Sequence, residues 1–204
     1  VYKRQVSVLY IWNGGLAIYG GVIGAMVGMA VYARIKKVRL AAVMDITMLG
    51  FLIGQFIGRW GNFVNREAFG AATDSFFRMG LFNTQTGAWE YYHPTFLYES
   101  LWNFCGFFLL HYLSKKRRYD GQIALDYAAW YGLGRYMIEG LRMDSLWWGP
   151  VRVSQVLAGV TCLAASLLLI WLSFRPHDPA KLWVNQVAAK KASTQTEEPK
   201  EPDE

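Results

Sequence analysis

The stretch MLGFLIGQFIGRWGNFVNREAFG, residues 48–70, joins an apolar run to a dense group of polar side chains. Residues 48–57 contain no charged side chain. Directly after them come Arg59, Asn62, Asn65, Arg66 and Glu67. Polar groups at membrane depth are costly and usually have a function. If the apolar run crosses a membrane, this polar group marks the functional end of its helix.

The composition indicates a membrane protein. The chain has 204 residues, of which 53% are hydrophobic and only 18% are charged, below the roughly 25% charged residues of soluble domains. A helix needs about 20 mostly apolar residues to cross a bilayer, and the segments that approach this length are 16–33, 40–58, 95–113, 123–141 and 153–174. We therefore predict an all-α, polytopic integral membrane protein with about five transmembrane helices in this chain. A soluble helical protein is disfavoured, because soluble chains rarely contain so many apolar runs.

The basic residues predict the orientation in the membrane. Lysines and arginines cluster after the first, third and fifth segments, at 34–39, 115–118 and 175–181. These clusters fall on one side of the membrane, which the positive-inside rule makes cytoplasmic. The net charge of +6 then reflects topology and contact with anionic lipid rather than binding of nucleic acid. The loops at 60–94 and 142–152 become extracytoplasmic, and Trp12, Trp60, Trp147 and Trp148 belong to the outer aromatic belt.

The ends of the chain carry two further expectations. Residues 185–204 are polar and cannot bury much apolar surface, so they predict a disordered cytoplasmic tail after a transmembrane domain at 1–184. The sequence begins at Val1 without a methionine, and we expect a fragment that lacks its amino terminus. Cys105 and Cys162 lie inside predicted spans and suggest neither a disulfide nor a metal site. No metal and no cofactor are predicted.

Two sets of glycines, spaced by four residues, each line one helical face without side chains. Such a face lets a neighbouring helix approach closely, or accommodates a lipid chain. Close helix packing is the favoured interpretation, and the lipid chain stays open. The two sets are Gly20, Gly24 and Gly28, and Gly50, Gly54 and Gly58.

Polar residues gather at the predicted outer ends of several helices. Arg59 and Asn62 share a helical face, as do Arg135, Glu139 and Arg142. Pro94 suits the first position of a helix, which places Tyr98 and Glu99 about one turn inside the third span. A carboxylate in lipid needs a partner, and the arginines supply one. Since guanidinium groups match phosphate, this end resembles a site for a phospholipid headgroup. The alternative is that each arginine reaches the headgroups on its own.

Several segments resemble the prolipoprotein diacylglyceryl transferase family. The stretch GRWGNFVNREAFG, residues 58–70, agrees throughout with the family signature. NGGLAIYGG, HPTFLYES, GLGRYMIEGLR and RVSQ resemble further family segments in the same order. The resemblance runs from about Trp12 to Trp171 and implies a seven-helix body in the bacterial plasma membrane. It implies a multi-pass protein with an extracytoplasmic active site and a cytoplasmic carboxyl terminus.

The resemblance also implies a reaction. The diacylglyceryl group of phosphatidylglycerol moves to the thiol of the lipobox cysteine in a prolipoprotein signal peptide, and glycerol phosphate leaves. Arg59 and Arg135 would hold the phosphate, and Asn62 would bind a headgroup oxygen. Gly70 would permit a backbone turn, and Glu67 and Glu139 would orient the arginines. The remaining substrate-binding candidates are Asn65, Tyr98, Glu99 and Arg142, with His93 beside Tyr98 and Glu99 at the rim.

Two features depart from the family. Some members carry a histidine where this chain has Asn13, so a general base is absent there. His93 is a substitute candidate, although it suits helix capping equally well. A bound water, or a thiol pKa lowered by the arginines, would also serve. The family has spans, including a tyrosine implicated in activity, before the position of Val1, so we expect that this chain cannot complete the family's seven-helix body.

Two other functions compete with the transferase. A lipid or ion transporter would place charges across the membrane depth, whereas here they gather at one end, apart from Asp45 and Asp126. A non-catalytic membrane anchor would use the polar cluster structurally. The loop at 71–92 is a candidate docking surface for the peptide substrate, or a cap on the helices.

Overall fold

All five apolar segments fold into helices. The structure is a computed structural model that describes residues 18–142 and 147–197. The helices, numbered here in chain order, are α1 (Ile18–Ile35), α2 (Leu40–Asn65), α3 (Thr95–Ser114), α4 (Gln122–Glu139), α5 (Val153–Ser173) and α6 (Trp183–Glu197). Trp12 and Asn13 lie outside the described residues.

The described helices differ in how closely their length and composition match a membrane span. Among the described helices, α2 and α5 are long and apolar enough to cross a membrane, and α1 contains a shorter apolar stretch. Large apolar side chains on both α1 and α5 are exposed, such as Ile23 and Leu163. In a bilayer these faces meet lipid rather than water.

Helix α4 is the centre of the bundle, because it packs against α2, α3 and α5. The core between these helices consists of Leu52, Leu110, Ile123 and Tyr127, of which the first three are at most 1% exposed. Helix α2 packs along α3, and α1 contacts α2 less extensively. The apolar core therefore lies between two polar ends of the bundle.

Helices α3 and α4 interlock through a symmetric pair of tryptophans. Trp102 and Trp130 stack with ring centroids 4.3 Å apart, and each indole N–H donates to the other residue's carbonyl oxygen, at 3.0 and 3.1 Å. Each ring lies over a glycine of the opposite helix. A Cβ on Gly134 would be 2.2 Å from Nε1 of Trp102, and one on Gly106 would be 2.3 Å from Nε1 of Trp130.

The glycines spaced by four have a different environment. A Cβ at any of the six would meet no atom within 4 Å. For the part of the chain that the structure describes, the predicted close helix packing at these positions is wrong, because no neighbouring backbone lies against them. The close contacts occur instead at Gly106, Gly134 and Gly132. A Cβ on Gly132 would be 2.8 Å from the carbonyl oxygen of Ala158.

Asp45 joins α2 to the start of α4. Its carboxylate is 1% exposed and accepts the backbone N–H groups of Gly121 and Ala124 at 2.9 and 3.1 Å. Helix α4 has no side-chain cap from its own N-cap residue, so Asp45 satisfies donors that would otherwise be unpaired. This residue therefore has a structural role at the end opposite to the polar constellation.

The segments between α2 and α3 and just before α5 contain two hairpins that the all-α prediction did not include. Strands β1 (Met79–Asn83) and β2 (Ala88–Tyr92) pair antiparallel, as do β3 (Trp147–Trp148) and β4 (Val151–Arg152). Helix α2 continues beyond the predicted residue 58 to Asn65, so Arg59 and Asn62 lie on the helix itself. Pro94 is the N-cap of α3 rather than its first residue.

The polar end of the chain contains helix α6, where the composition predicts disorder. The segment VNQVAAKKA is rich in alanine and lysine, which favour helix in the absence of packing. Its start is fixed to the bundle, since the N–H of Trp183 donates to Asp120 at 3.1 Å and Leu182 is buried. The division of the chain into 1–184 and 185–204 stays a prediction.

Candidate active site

Glu99 is the centre of an ion-pair cluster formed by three helices and the residue Arg142. It lies on α3, is 4% exposed, and pairs with arginines from α2 and α4. The distances from its carboxylate oxygens are 2.5 Å to Nη2 of Arg59, 3.0 Å to Nη1 of Arg135 and 3.4 Å to Nη1 of Arg142. The sequence places Glu99 at the rim of the site, whereas the structure places it in the middle.

Glu139 forms the second acidic position of the cluster. It is 1% exposed, and its Oε2 lies 2.7 Å from Nη2 of Arg135, one turn earlier on α4. Arg135 thus bridges two carboxylates with its two terminal nitrogens. The expected role of Glu139 in orienting an arginine agrees with this contact.

Arg152 belongs to the same cluster, although the sequence singled it out only as part of RVSQ. Its guanidinium donates to the backbone carbonyl oxygen of Glu139 and lies over the ring of Trp147, 4.8 Å from the centroid. Four arginines, Arg59, Arg135, Arg142 and Arg152, surround two acidic residues, Glu99 and Glu139. The cluster therefore has the electrostatic capacity to hold an anion.

Gly70 lies where three segments meet, and a close approach rather than a turn requires it. Its φ is not positive. A Cβ at this position would be 2.7 Å from Cβ of His93 and 2.8 Å from the carbonyl oxygen of Leu141. Gly70 pairs with Arg142 in an isolated β-bridge, and its N–H donates to the carbonyl oxygen of His93 at 2.9 Å. The glycine thus joins the segment after α2 to both His93 and Arg142.

His93 and Tyr98 form a pair beside this junction. The Nδ1 of His93 lies 3.3 Å from the hydroxyl of Tyr98, so Nε2 is the nitrogen that remains for another partner. Both side chains are half-buried. Because Tyr98 directly precedes Glu99 in the sequence, this contact links His93 to the residue next to the centre of the cluster.

Three of the predicted site residues make fewer contacts with the described protein than the arginines do. They are Asn62, Asn65 and Glu67. The side chain of Asn62 is half-buried, and within the described ranges its amide has no protein partner. Asn65 Nδ2 donates to Oε1 of Glu67 at 3.2 Å, and both residues are exposed. Glu67 contacts none of the cluster arginines among the described ion pairs, and the carboxylates that contact them are those of Glu99 and Glu139. The expected role of Glu67 in orienting the arginines stays a prediction.

A second polar layer lies one helical turn deeper, and the sequence analysis missed it. Gln55 precedes Arg59 by four residues, Asn103 follows Glu99 by four, and Tyr131 precedes Arg135 by four. The oxygens Oε1 of Gln55 and Oδ1 of Asn103 are buried without a protein partner. A cavity of about 10 Å³, lined in part by Asn103, Glu99 and Arg135, has the size of one water molecule. The four-residue spacing was the signal that could have identified this layer.

The loop at 71–92 forms hairpin β1–β2 and exposes aromatic rings. Phe76, Phe77 and Trp89 are 93%, 63% and 63% exposed. The hydroxyl of Tyr92 donates to Oε2 of Glu90 at 2.5 Å. This hydrogen bond lowers the pKa of Glu90 and raises that of Tyr92. The open aromatic surface and the contact of Ala71 with Leu141 suit both expected roles, peptide docking and capping of the helices.

The fold and the site together define a helical membrane protein with a buried arginine–carboxylate cluster at one end of its bundle. The chain belongs to the prolipoprotein diacylglyceryl transferase family, whose model matches residues 1–171. This is a family of bacterial membrane enzymes, and the family resemblance seen in the sequence is thereby confirmed.

Three curated relatives illustrate the similarity, each named phosphatidylglycerol--prolipoprotein diacylglyceryl transferase. The protein of Listeria welshimeri is 42% identical over 185 residues, covering 87% of this chain and 67% of the relative. That of Thermosynechococcus vestitus is 45% identical over 190 residues, covering 88% and 68%. That of Bacillus licheniformis is 43% identical over 179 residues, covering 84% and 66%. The chain spans about two thirds of the length of these relatives.

Proposed function

We propose that this chain carries the phosphatidylglycerol site of a prolipoprotein diacylglyceryl transferase. The reaction transfers the diacylglyceryl group to the lipobox cysteine thiol of a prolipoprotein signal peptide. A carbon–sulfur bond forms as a thioether, the bond between the glyceryl carbon and the phosphate oxygen breaks, and glycerol phosphate leaves. The family membership and the names of the relatives support this assignment.

The convergence of arginines on Glu99 is the observation that carries the proposal. Arg59 contacts Glu99 through one terminal nitrogen, so most of the donor capacity of its guanidinium is available to a phosphate. Arg135 uses one terminal nitrogen on Glu99 and the other on Glu139, so only its remaining N–H groups are available. The phosphate gains negative charge as it becomes a leaving group. Cations already held in place stabilise that charge in the transition state.

The neighbouring residues suit the binding of the rest of the lipid headgroup. The amide of Asn62, on the helical face of Arg59, would bind a headgroup oxygen. Tyr98 and Arg142 border Glu99, and Asn65 with Glu67 lies at the outer edge. Gly70 would act as a positioning residue, because it is in contact with both His93 and Leu141.

The thiol must lose its proton before it attacks, because the thiolate is the nucleophile. His93 would accept this proton at Nε2, since its Nδ1 is next to the hydroxyl of Tyr98. The cationic cluster would assist by favouring the thiolate. After transfer, the proton and the glycerol phosphate leave the site.

In the proposed topology, five spans place this site at the extracytoplasmic face of the bacterial inner membrane. The basic segments at 34–39, 115–118 and 175–181 are at the opposite ends of the helices. They would contact the cytoplasmic leaflet, and the carboxyl terminus would be cytoplasmic. The partners are then the bilayer, phosphatidylglycerol and the signal peptide.

The transporter alternative is not favoured by the interior of the bundle. Between the cluster around Glu99 and the acidic residues at the other end lie Leu52, Leu110 and Ile123, all fully buried. A polar path through these described residues would have to displace the core.

Complementation tests the proposal. The full-length protein, with Arg135→Ala or Arg175→Ala, is expressed in a bacterium depleted of its own transferase, and the mobility shift of a lipoprotein precursor is followed. Arg175 is the matched control, because it follows α5 at the opposite end of the bundle and its guanidinium lies over the ring of Trp171. We expect the parent and Arg175→Ala to restore lipidation and Arg135→Ala to lose it. Full lipidation by an inserted Arg135→Ala protein would refute the proposed role.

A further inference from the structure

A second polar cavity lies at the end of the bundle opposite to the arginine cluster. It measures about 580 Å³ and is formed by the start of α2, the loop between α3 and α4, and the segment after α5. The charged residues that line it are Arg39, Arg118, Asp120, Asp178 and Lys181. None of these residues takes part in the proposed transfer reaction.

The acidic residues of this cavity are occupied by the protein itself. Asp120 accepts the backbone N–H of Trp183 at 3.1 Å and pairs with Arg39 at 3.4 Å. Asp178 accepts the N–H of Ala180 at 2.9 Å, which caps a short 3-10 turn at Pro179–Lys181. Both carboxylates therefore hold the segment after α5 in place and offer little capacity for an external cation.

The three basic residues that line the cavity differ in how many contacts they make with the protein. Arg39 donates to the carbonyl oxygen of Lys181 at 2.6 Å, in addition to its contact with Asp120. In the described parts of the chain, the side chains of Arg118 and Lys181 form no ion pair, and both residues are exposed. The cavity lining carries three cations and two carboxylates. Arg39 is paired with Asp120, and the remaining charges, those of Arg118, Lys181 and Asp178, leave an excess of one positive charge that would attract an anion into the cavity.

The surroundings favour a phosphate group at headgroup depth. The cavity lies where the helices end, at the level that lipid headgroups occupy in a bilayer. Ala41, in the first turn of α2, and the buried Leu182 supply apolar wall. The first turn of α2 contains no acidic residue, so it does not repel an anion. Basic pockets between helices at the cytoplasmic side are known to bind anionic headgroups.

We infer that this cavity binds a phosphate group through Arg118 and Lys181, separately from the transferase site. The phosphate belongs either to an anionic phospholipid of the adjacent leaflet or to a free phosphate compound. Arg39 and Asp120 hold the cavity wall together, so the ligand would couple the segment at 175–183 to the helices. The inference does not depend on catalysis.

The test compares two double variants with equal loss of charge. Arg118→Gln with Lys181→Gln alters the cavity, and Lys36→Gln with Lys115→Gln is the control on the same face but outside the cavity lining. Each purified protein is placed in phosphatidylcholine nanodiscs that contain phosphatidic acid, and the retained phosphatidic acid is counted by native mass spectrometry. The arginine cluster is intact in both variants, so lipid bound there contributes equally.

We expect the cavity variant to bind phosphatidic acid about tenfold more weakly than the control, since two solvent-exposed charged contacts together contribute on that scale. Competition with inorganic phosphate distinguishes the source: displacement of the lipid indicates a site for free phosphate, and no displacement indicates a site for lipid. If the double variant does not fold, Lys181→Arg compared with Lys181→Gln replaces it, and only Lys181→Arg should retain the lipid. Equal retention by the cavity and control variants would overturn the inference.

Discussion

Replacing Glu99 by glutamine should destabilise the protein far more than its conservative size suggests. The substitution keeps the shape of the side chain but removes a carboxylate that contacts Arg59, Arg135 and Arg142. The exposed fractions of these three arginine side chains are 19%, 20% and 11%. After the change, Arg135 keeps its contact with Glu139, whereas Arg59 loses the carboxylate with which it pairs among the described residues, in a poorly hydrated site.

The size of the expected loss of stability follows from the ion pairs between Glu99 and the arginines. Opposite charges about 4 Å apart attract by about 4 kcal/mol at an effective dielectric constant of about 20, and removing one partner of a buried pair costs about 3–5 kcal/mol. We expect a loss of about 4 kcal/mol, which corresponds to a fall in Tm of about 8–16 °C for a protein of this size. The measurement is thermal unfolding in an uncharged detergent, followed by tryptophan fluorescence.

The matched control is Glu67→Gln, because Glu67 is exposed and its carboxylate contacts only Asn65 among the described residues. Its Tm should stay close to that of the parent. Addition of phosphatidylglycerol should raise the Tm of Glu99→Gln more than that of the parent, since the lipid phosphate supplies the missing negative charge. If Glu99→Gln and Glu67→Gln unfold at the same temperature, the central role of Glu99 is wrong.

Three further substitutions test the close contacts and the cap. Gly70→Ala should lower the stability of the protein by about 1–3 kcal/mol because the new Cβ has no room, and it should also reduce lipidation. Its control is Gly61→Ala, in open space on α2, which should be neutral or stabilising in the same unfolding assay. Gly134→Ala should likewise lower the Tm by separating α3 from α4, while Gly54→Ala should not; equal Tm values for this pair would contradict the interlock. Asp45→Ala should cost about 0.5–2 kcal/mol, the usual effect of losing a helix cap, and hydrogen exchange should show faster opening at the start of α4; unchanged exchange there would refute the cap.

The sequence alone was sufficient to predict the five apolar helices, although not α6, and to place the polar residues at one end of the bundle. Apolar runs of sufficient length and the distribution of basic residues are local properties, so they are visible without knowledge of packing. Arg59, Glu99, Arg135, Glu139 and Arg142 were all predicted at this level, and they do lie together. The two hairpins and the continuation of α2 to Asn65 were missed, because aromatic loops and polar helix ends carry weak hydropathy signals.

Which side chains meet was decided by the tertiary structure. The packing of α3 against α2 and α4 brought Glu99 to the arginines, whereas Glu67 lies beyond the end of α2 and is exposed. The rotation of each helix about its axis left the glycines spaced by four open, while Gly106 and Gly134 received the tryptophan rings. The path of the chain after α2 brought Gly70 against His93 and Leu141. Spacing along a helix determines which residues share a face, but the neighbour that the face meets depends on the packing of elements distant in sequence.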